Sequence, residues 1–230
     1  MRTGQSIDIV TANMPELRDP LPPSPEDTEG ERFFVIVETG GAEAAHDNAK
    51  LEAFLAAVME SGDVQDGVVA QDQRQAASFW AIRDNVSVAM NSAEPDHALL
   101  LYDVSLPQHR YYELVEELRA RLAATPGLGT AVVVGFGHLA DGNLHLNVQT
   151  TGGAAEAARA AAAVEPWLFE WTAEAGGSIS AEHGLGTKRQ AHLGLAKGDA
   201  VVGVLREIKA LLDPRGILNP YKVLPPPPEA

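Results

Sequence analysis

AVVVGFGHLADGNLHLNVQT, residues 131–150, holds two apolar runs, AVVVGFG at 131–137 and LHLNVQT at 144–150, on either side of a short polar turn. The β-branched first run and the alternating second run predict two strands. Asp141-Gly142 between them is among the strongest signals for a two-residue hairpin turn, whose central residues need positive φ. With those two residues at the turn centre, Ala140 faces Asn143, Leu139 faces Leu144 and His138 faces His145. Opposed side chains have Cβ atoms roughly 4.5–5.5 Å apart and leave the same sheet face, so one ion could accept a nitrogen from each imidazole. Asn147, two residues beyond His145, shares that face.

Outward from the hairpin, strand and helix periods alternate. FFVIVE at 33–38, followed by Gly40-Gly41, reads as a buried strand and a turn. Leu51, Phe54, Leu55 and Val58 recur at three- and four-residue steps and predict a helix over 45–61. A strand near 67–71, a helix over 73–90 and a strand over 98–105 follow. Leu114, Leu118 and Leu122 form an i, i+4 row in a helix over 108–123. An Ala-rich helix is expected over 154–175 and a last helix over 198–212, ended by Asp213-Pro214 because a residue before proline leaves the helical region. The expected fold class is α+β, with a ferredoxin-like antiparallel sheet covered by helices on one face. MPELRDPLPPSPEDTEGER at 14–32 has neither period and reads as an extended connector. Residues 1–32 are therefore expected to be a connector from a missing upstream domain, 33–225 one folded domain, and 226–230 an exposed polyproline-like tail.

Composition bounds the chemistry. The 230 residues are 45% hydrophobic and 21% charged, ordinary for a globular protein, and no apolar run approaches the roughly 20 residues of a membrane span. MRTGQSIDIVTANMPEL at the start lacks a signal-peptide core, so a cytoplasmic location is expected. With no cysteine, a metal must be held by His, Asp or Glu. A formal charge of -15 repels nucleic acid and anionic membrane, both of which need clustered Lys and Arg. A small anionic substrate stays compatible, provided cations or a metal converge in one pocket.

The histidine pair alone is equally well two surface histidines; a third ligand is needed. SISAEHGLGTKR at 178–189 offers one in Glu182, a hard oxygen donor, with His183 beside it as a titratable group. By itself a Glu-His pair is an ordinary exposed loop. Gly184 and Gly186 mark backbone that needs unusual dihedrals or close approach to a ligand.

GHLADGNLHLN, SAEHGLGTKR and LDPRGILNPYKVLP (212–225) together resemble the C-terminal domain of FAD-linked oxidases of the vanillyl-alcohol oxidase superfamily. ELRDPLP (16–22), QDQRQAASFWAIRD (71–84) and YDVSLP (102–107) are similar to its D-2-hydroxyglutarate and D-lactate dehydrogenase branch, and the likeness runs over residues 16–225. The resemblance implies that His138, His145 and Glu182 are metal ligands, with zinc the leading metal. It implies that His183 is the general base, that Arg83 and Asn147 contact substrate, with the Ser87 hydroxyl beside them, and that Asn219 lies on the flavin side. Ser87 stands where relatives carry threonine. Leu101 stands where hydroxyglutarate-specific relatives carry a lysine for the distal carboxylate, which favours a short or neutral tail unless another cation replaces it.

The implied reaction oxidises a 2-hydroxy acid to a 2-oxo acid with hydride passing to FAD, D-2-hydroxyglutarate and D-lactate being the candidate substrates. The chain has nothing resembling the domain that binds most of the FAD, so a flavin-binding domain or subunit is the expected partner. The alternatives are a non-catalytic partner subunit, which predicts an exposed apolar face, and a gene fragment. A structural metal site is a third, but three protein ligands leave a position open.

Overall fold

The computed structural model of the protein describes residues 2–21, 32–91 and 96–226. Where the sequence suggests one folded domain over 33–225, the chain forms two compact units, residues 1–93 and 94–230.

In the first unit, β1 (Arg2–Thr3) pairs antiparallel with β2 (Phe33–Phe34), and four helices follow the chain as α1 (Gly4–Asn13), α2 (Ala44–Glu60), α3 (Gln73–Asp84) and α4 (Val86–Asn91). Folding thus begins well before Phe33. Ile7 and Val10, one turn apart on α1, are fully buried, and α1 packs on α3 and α4, which bury Ile82, Val86, Ala89 and Met90. That small core is why the start of the chain is helical rather than a connector. Residues 14–21 carry neither helix nor strand, while 22–31, part of the expected connector, lie outside the described residues, as do 227–230 of the expected tail.

Three local readings change here. The strand at 33–38 shrinks to Phe33–Phe34, and Val35 and Val37 are exposed rather than buried. No strand forms at 67–71. The helix over 73–90 breaks at Asn85, whose ψ of 7° leaves the helical region and whose side-chain amide donates to the Ala81 carbonyl at 2.7 Å, competing with the backbone ladder.

The second unit runs β3 (Ala98–Ser105), α5 (Glu113–Ala124), β4 (Val132–His138), β5 (Asn143–Thr150), α6 (Gly153–Glu174), α7 (Leu193–Ala196) and α8 (Asp199–Leu212). β5 lies between β4 and β3, antiparallel to both. The order β4-β5-β3, with helices after β3 and β5, is the ferredoxin-like β-α-β-β-α arrangement expected. The place of its fourth strand is held by one antiparallel bridge in which Ser178 and Ser105 exchange N–H to carbonyl bonds at 2.9 Å. Gly177 permits that approach, since a Cβ there would collide with the Ser105 carbonyl oxygen.

Strand alternation then divides the sheet. Tyr102, Val104, Leu144, Leu146, Val148, Val133 and Gly135 share one face, and the helices close over it: Val115 of α5 lies directly above Gly135, and Phe169 of α6 meets the edge of Tyr102. The predicted i, i+4 row of α5, Leu114, Leu118 and Leu122, is buried. The opposite face carries Asp103, Phe136, Asn143, His145, Asn147 and Gln149.

The hairpin keeps its faces but not its turn. Leu139–Asp141 form a 3-10 turn closed by Gly142 at φ 74°, so four residues, not two, separate the strands. Register shifts by two: His138 lies opposite Asn143 and His145 opposite Phe136. An even shift leaves both histidines on one face. The longer turn is held from outside, because Gln108 donates its side-chain amide to the carbonyls of Leu139 and Ala140, and Leu106 donates its N–H to Gly142.

Because the α5 row fills the space above the sheet, Leu118→Ala should cost about 2–5 kcal/mol, whereas Leu211→Ala, 79% exposed on α8, should change stability by less than about 0.5 kcal/mol. Urea denaturation of the two variants against the parent checks this.

Candidate metal and substrate site

The polar face of the sheet gathers its residues by register. His145, near the middle of β5, has Asp103 on one side and Phe136 on the other, and Asn147 has Leu101 and Val134. His138, at the end of β4, lies diagonally from His145, with ring centroids 5.8 Å apart and planes nearly perpendicular.

The third component arrives on the loop after the Ser178 bridge. Glu182 Oε1 stands 3.1 Å from His145 Nε2 and 3.6 Å from His183 Nε2. The His183 ring stacks on that of His145, centroids 5.3 Å apart and tilted by 15°. One ligand atom each from His138, His145 and Glu182 lies within 4.8 Å of the others. Two ligands of a tetrahedral zinc at its usual bond lengths are about 3.3 Å apart, so the His145–Glu182 spacing of 3.1 Å suits one ion. His145 is nearly buried, but Glu182 and His183 are half-exposed. The ligand cluster is therefore anchored on one side and open to an incoming molecule on the other.

Asp103 is a residue of this polar face to which the sequence reading assigns no role. Its Oδ2 accepts the backbone N–H groups of three consecutive residues, Ala181 at 3.0 Å, Glu182 at 2.9 Å and His183 at 2.8 Å. Oδ1 accepts the Asn143 side-chain amide at 2.7 Å and faces His145 Nδ1 at 3.8 Å. Burial pushes the Asp103 carboxyl up, but the N–H groups of His183 and Glu182 and the Asn143 amide outweigh it and hold the group below the ordinary carboxylate range. A signal did exist: an aspartate inside the apolar strand ALLLYDVS is a charge that needs partners.

Arg189, at the end of the same loop, donates to the Leu101 carbonyl at 3.1 Å and the Asp103 carbonyl at 3.4 Å, tying the loop to β3 a second time. Asn147 is buried beside Leu101, whose side chain is 52% exposed. Asn219 lies on an exposed segment after α8 with φ 45°. Arg83 on α3 and Ser87 on α4 belong to the first unit, where Arg83 pairs with Asp84 at 3.1 Å. The structure thus brings His138, His145, Asn147, Glu182 and His183 together within one unit.

The sequence pattern of the family described as FAD linked oxidases, C-terminal domain, matches residues 5–223. A mitochondrial D-2-hydroxyglutarate dehydrogenase of Arabidopsis thaliana is 43% identical over 96% of this chain and 37% of its own length. The corresponding Bos taurus enzyme is 47% identical over 84% of the chain and 34% of its own length. A D-2-hydroxyglutarate–pyruvate transhydrogenase of Saccharomyces cerevisiae is 35% identical over 84% of the chain. The chain therefore spans about a third of the length of these relatives. The expected cytoplasmic location is overturned by the mitochondrial relatives. The first residues of a chain that covers about a third of its relatives say nothing about a leader. Among the described residues no helix is long and apolar enough to cross a membrane.

A carboxylate whose folded pKa is depressed stabilises the fold above its unfolded pKa and loses that contribution as pH falls through the folded value. Between about pH 6 and about pH 3, the urea midpoint of the parent should therefore fall more steeply than that of Asp103→Asn. Equal slopes would mean that Asp103 is not held ionised by these donors.

Proposed function

The chain belongs to the family of FAD-linked oxidase C-terminal domains, and from that premise we propose that it forms the metal- and substrate-binding part of an FAD-dependent D-2-hydroxy-acid dehydrogenase. The observation that carries this reading is the convergence of His138, His145 and Glu182 beside His183 on one open sheet face. Two imidazoles and a carboxylate suit a first-row divalent cation, of which zinc is the candidate. When bound, the metal supplies positive charge for the carboxylate and hydroxyl oxygens of a 2-hydroxy acid, and the flavin supplies the hydride acceptor.

The chain's own residues do the rest. Stacked on His145 and half-exposed, the His183 imidazole accepts the hydroxyl proton as the Cα hydride leaves, so that a 2-oxo acid remains. Asn147 offers a buried amide beneath the substrate. Arg83 and Ser87 are proposed as substrate contacts, and Asn219 as a flavin-side residue, on their motif resemblance. D-2-hydroxyglutarate and D-lactate are the candidate substrates, the relatives' names supporting the first. Leu101, exposed beside Asn147, gives a distal carboxylate no partner and supports the second.

The partner is a flavin-binding domain lying outside this chain. Val201, Val204, Ile208, Leu211 and Leu212 are exposed at helical spacing on α8, and Ile217 and Leu218 continue that apolar surface. Such a patch suits a docking partner. The coverage of about a third of the relatives' length leaves room for that domain.

Calorimetry with zinc should give one ion per parent chain and at least about a tenfold loss of affinity in both His145→Ala and Glu182→Ala, with D-lactate or D-2-hydroxyglutarate binding only to the zinc-loaded parent. Substrate binding indifferent to metal would overturn the reading. Reconstituted with its flavin partner, His183→Ala should slow flavin reduction by about 100-fold or more, measured by stopped-flow bleaching of the flavin; an unchanged rate would remove His183 as the base.

A further inference from the structure

We propose that Asp103 is the positioning residue of this site, a buried carboxylate that sets the Glu182–His183 loop and the His145 ring in working register. The inference rests on the metal- and substrate-binding reading above but concerns a residue that touches neither ligand. Asp103 is fully buried, and its partners come from two separate stretches of chain, β5 at 143 and 145 and the loop at 180–183.

Each oxygen has its own task. Oδ2 draws in the N–H groups of Ala181, Glu182 and His183, with the Ser180 hydroxyl at 3.5 Å as a fourth donor. Three successive N–H groups on one anion fix the loop backbone, and so fix where the side chains of residues 182 and 183 leave it. Without that anchor, both side chains sit on a half-exposed loop free to swing away. Oδ1 faces His145 Nδ1 at 3.8 Å, while His145 Nε2 faces Glu182. A carboxylate behind a ligating imidazole favours the orientation that presents the other nitrogen to the metal. Oδ1 is itself held by the Asn143 amide, whose second acceptor is the Val104 carbonyl at 3.2 Å. One charge thereby orients two of the three candidate ligands and the candidate base.

Asp103→Asn keeps the shape and removes the anion. Zinc titration by calorimetry should show affinity about 10–100-fold weaker than the parent, and the cobalt-loaded variant should have an altered visible absorption spectrum. A merely structural Asp103 would lower the melting temperature while leaving the zinc affinity and the cobalt spectrum of the folded chain unchanged, and that result overturns the proposal. Amide hydrogen exchange on the parent chain decides the case even if the variant does not fold. The N–H groups of residues 181–183 should exchange at least about tenfold more slowly than those of Gly184 and Leu185, as a hydrogen bond to a charged group implies. Exchange as fast as that of the neighbours overturns the proposal. If the parent binds no zinc, the functional reading fails on its own, and the exchange measurement still decides the role of Asp103.

Discussion

A charge placed inside a strand constrains everything around it. Taking a carboxylate out of water costs several kcal/mol even after relaxation, and only a full set of donors offsets that. Asp103 obtains its donors from Ala181, Glu182, His183 and Asn143, and the fold has to deliver them. The Ser178–Ser105 bridge and Arg189 hold both ends of the loop to β3, and between those ties the loop has to pass the Asp103 side chain. A regular fourth strand would direct its N–H groups along the ladder. Reducing it to one bridge frees three of them for the carboxylate.

The same sheet serves two purposes because its strands alternate. One face supplies the apolar surface against which α5 and α6 pack, and the other carries the polar groups in register. Rigidity thus comes from the side that does no chemistry. β5 lies between two partners and is buried along its whole length, so His145 and Asn147 project from the most buried strand of the unit. Glu182 and His183 come from a loop and depend on Asp103 for comparable order.

Long periodic segments were legible in the sequence. β3, α6 and α8 lie within a residue of where they are expected, and α5 starts five residues late, after a 3-10 turn at Gln108–Arg110, since their apolar faces are the buried ones or, in α8, a continuous stripe. The hairpin was half legible. Asp141-Gly142 marks the turn, but its length is set by Gln108 and Leu106, which sequence-local reasoning does not see. Parity rescued the site, because a two-residue shift preserves the face. The helix at Gly4–Asn13 escaped for the same reason, being decided by burial against α3 and α4, whereas the break at Asn85 comes from a local side-chain hydrogen bond to Ala81 that periodicity does not show. Glu182 and His183 were legible only through family resemblance, since nothing local distinguishes that loop from an exposed one. Asp103 was visible as an anomaly, a charge within an apolar strand, though its hydrogen-bond donors lie 40 to 80 residues away in sequence.

The C-terminal segment shows the opposite balance, with firm backbone and uncommitted side chains. Asn219, Tyr221 and Val223 all have positive φ, which is unfavourable for residues with a Cβ and most of all for a β-branched one. Such a path persists only where other contacts impose it. Here Asp213 accepts the N–H groups of Ile217 and Leu218, Lys209 reaches both Asp213 and the Leu218 carbonyl, and Val223 donates to the Gly186 carbonyl. The last of these bonds ties the segment to the loop that bears Glu182 and His183. Yet Ile217, Leu218 and Tyr221 remain exposed. The backbone is thus held in a strained path while its apolar side chains stay exposed.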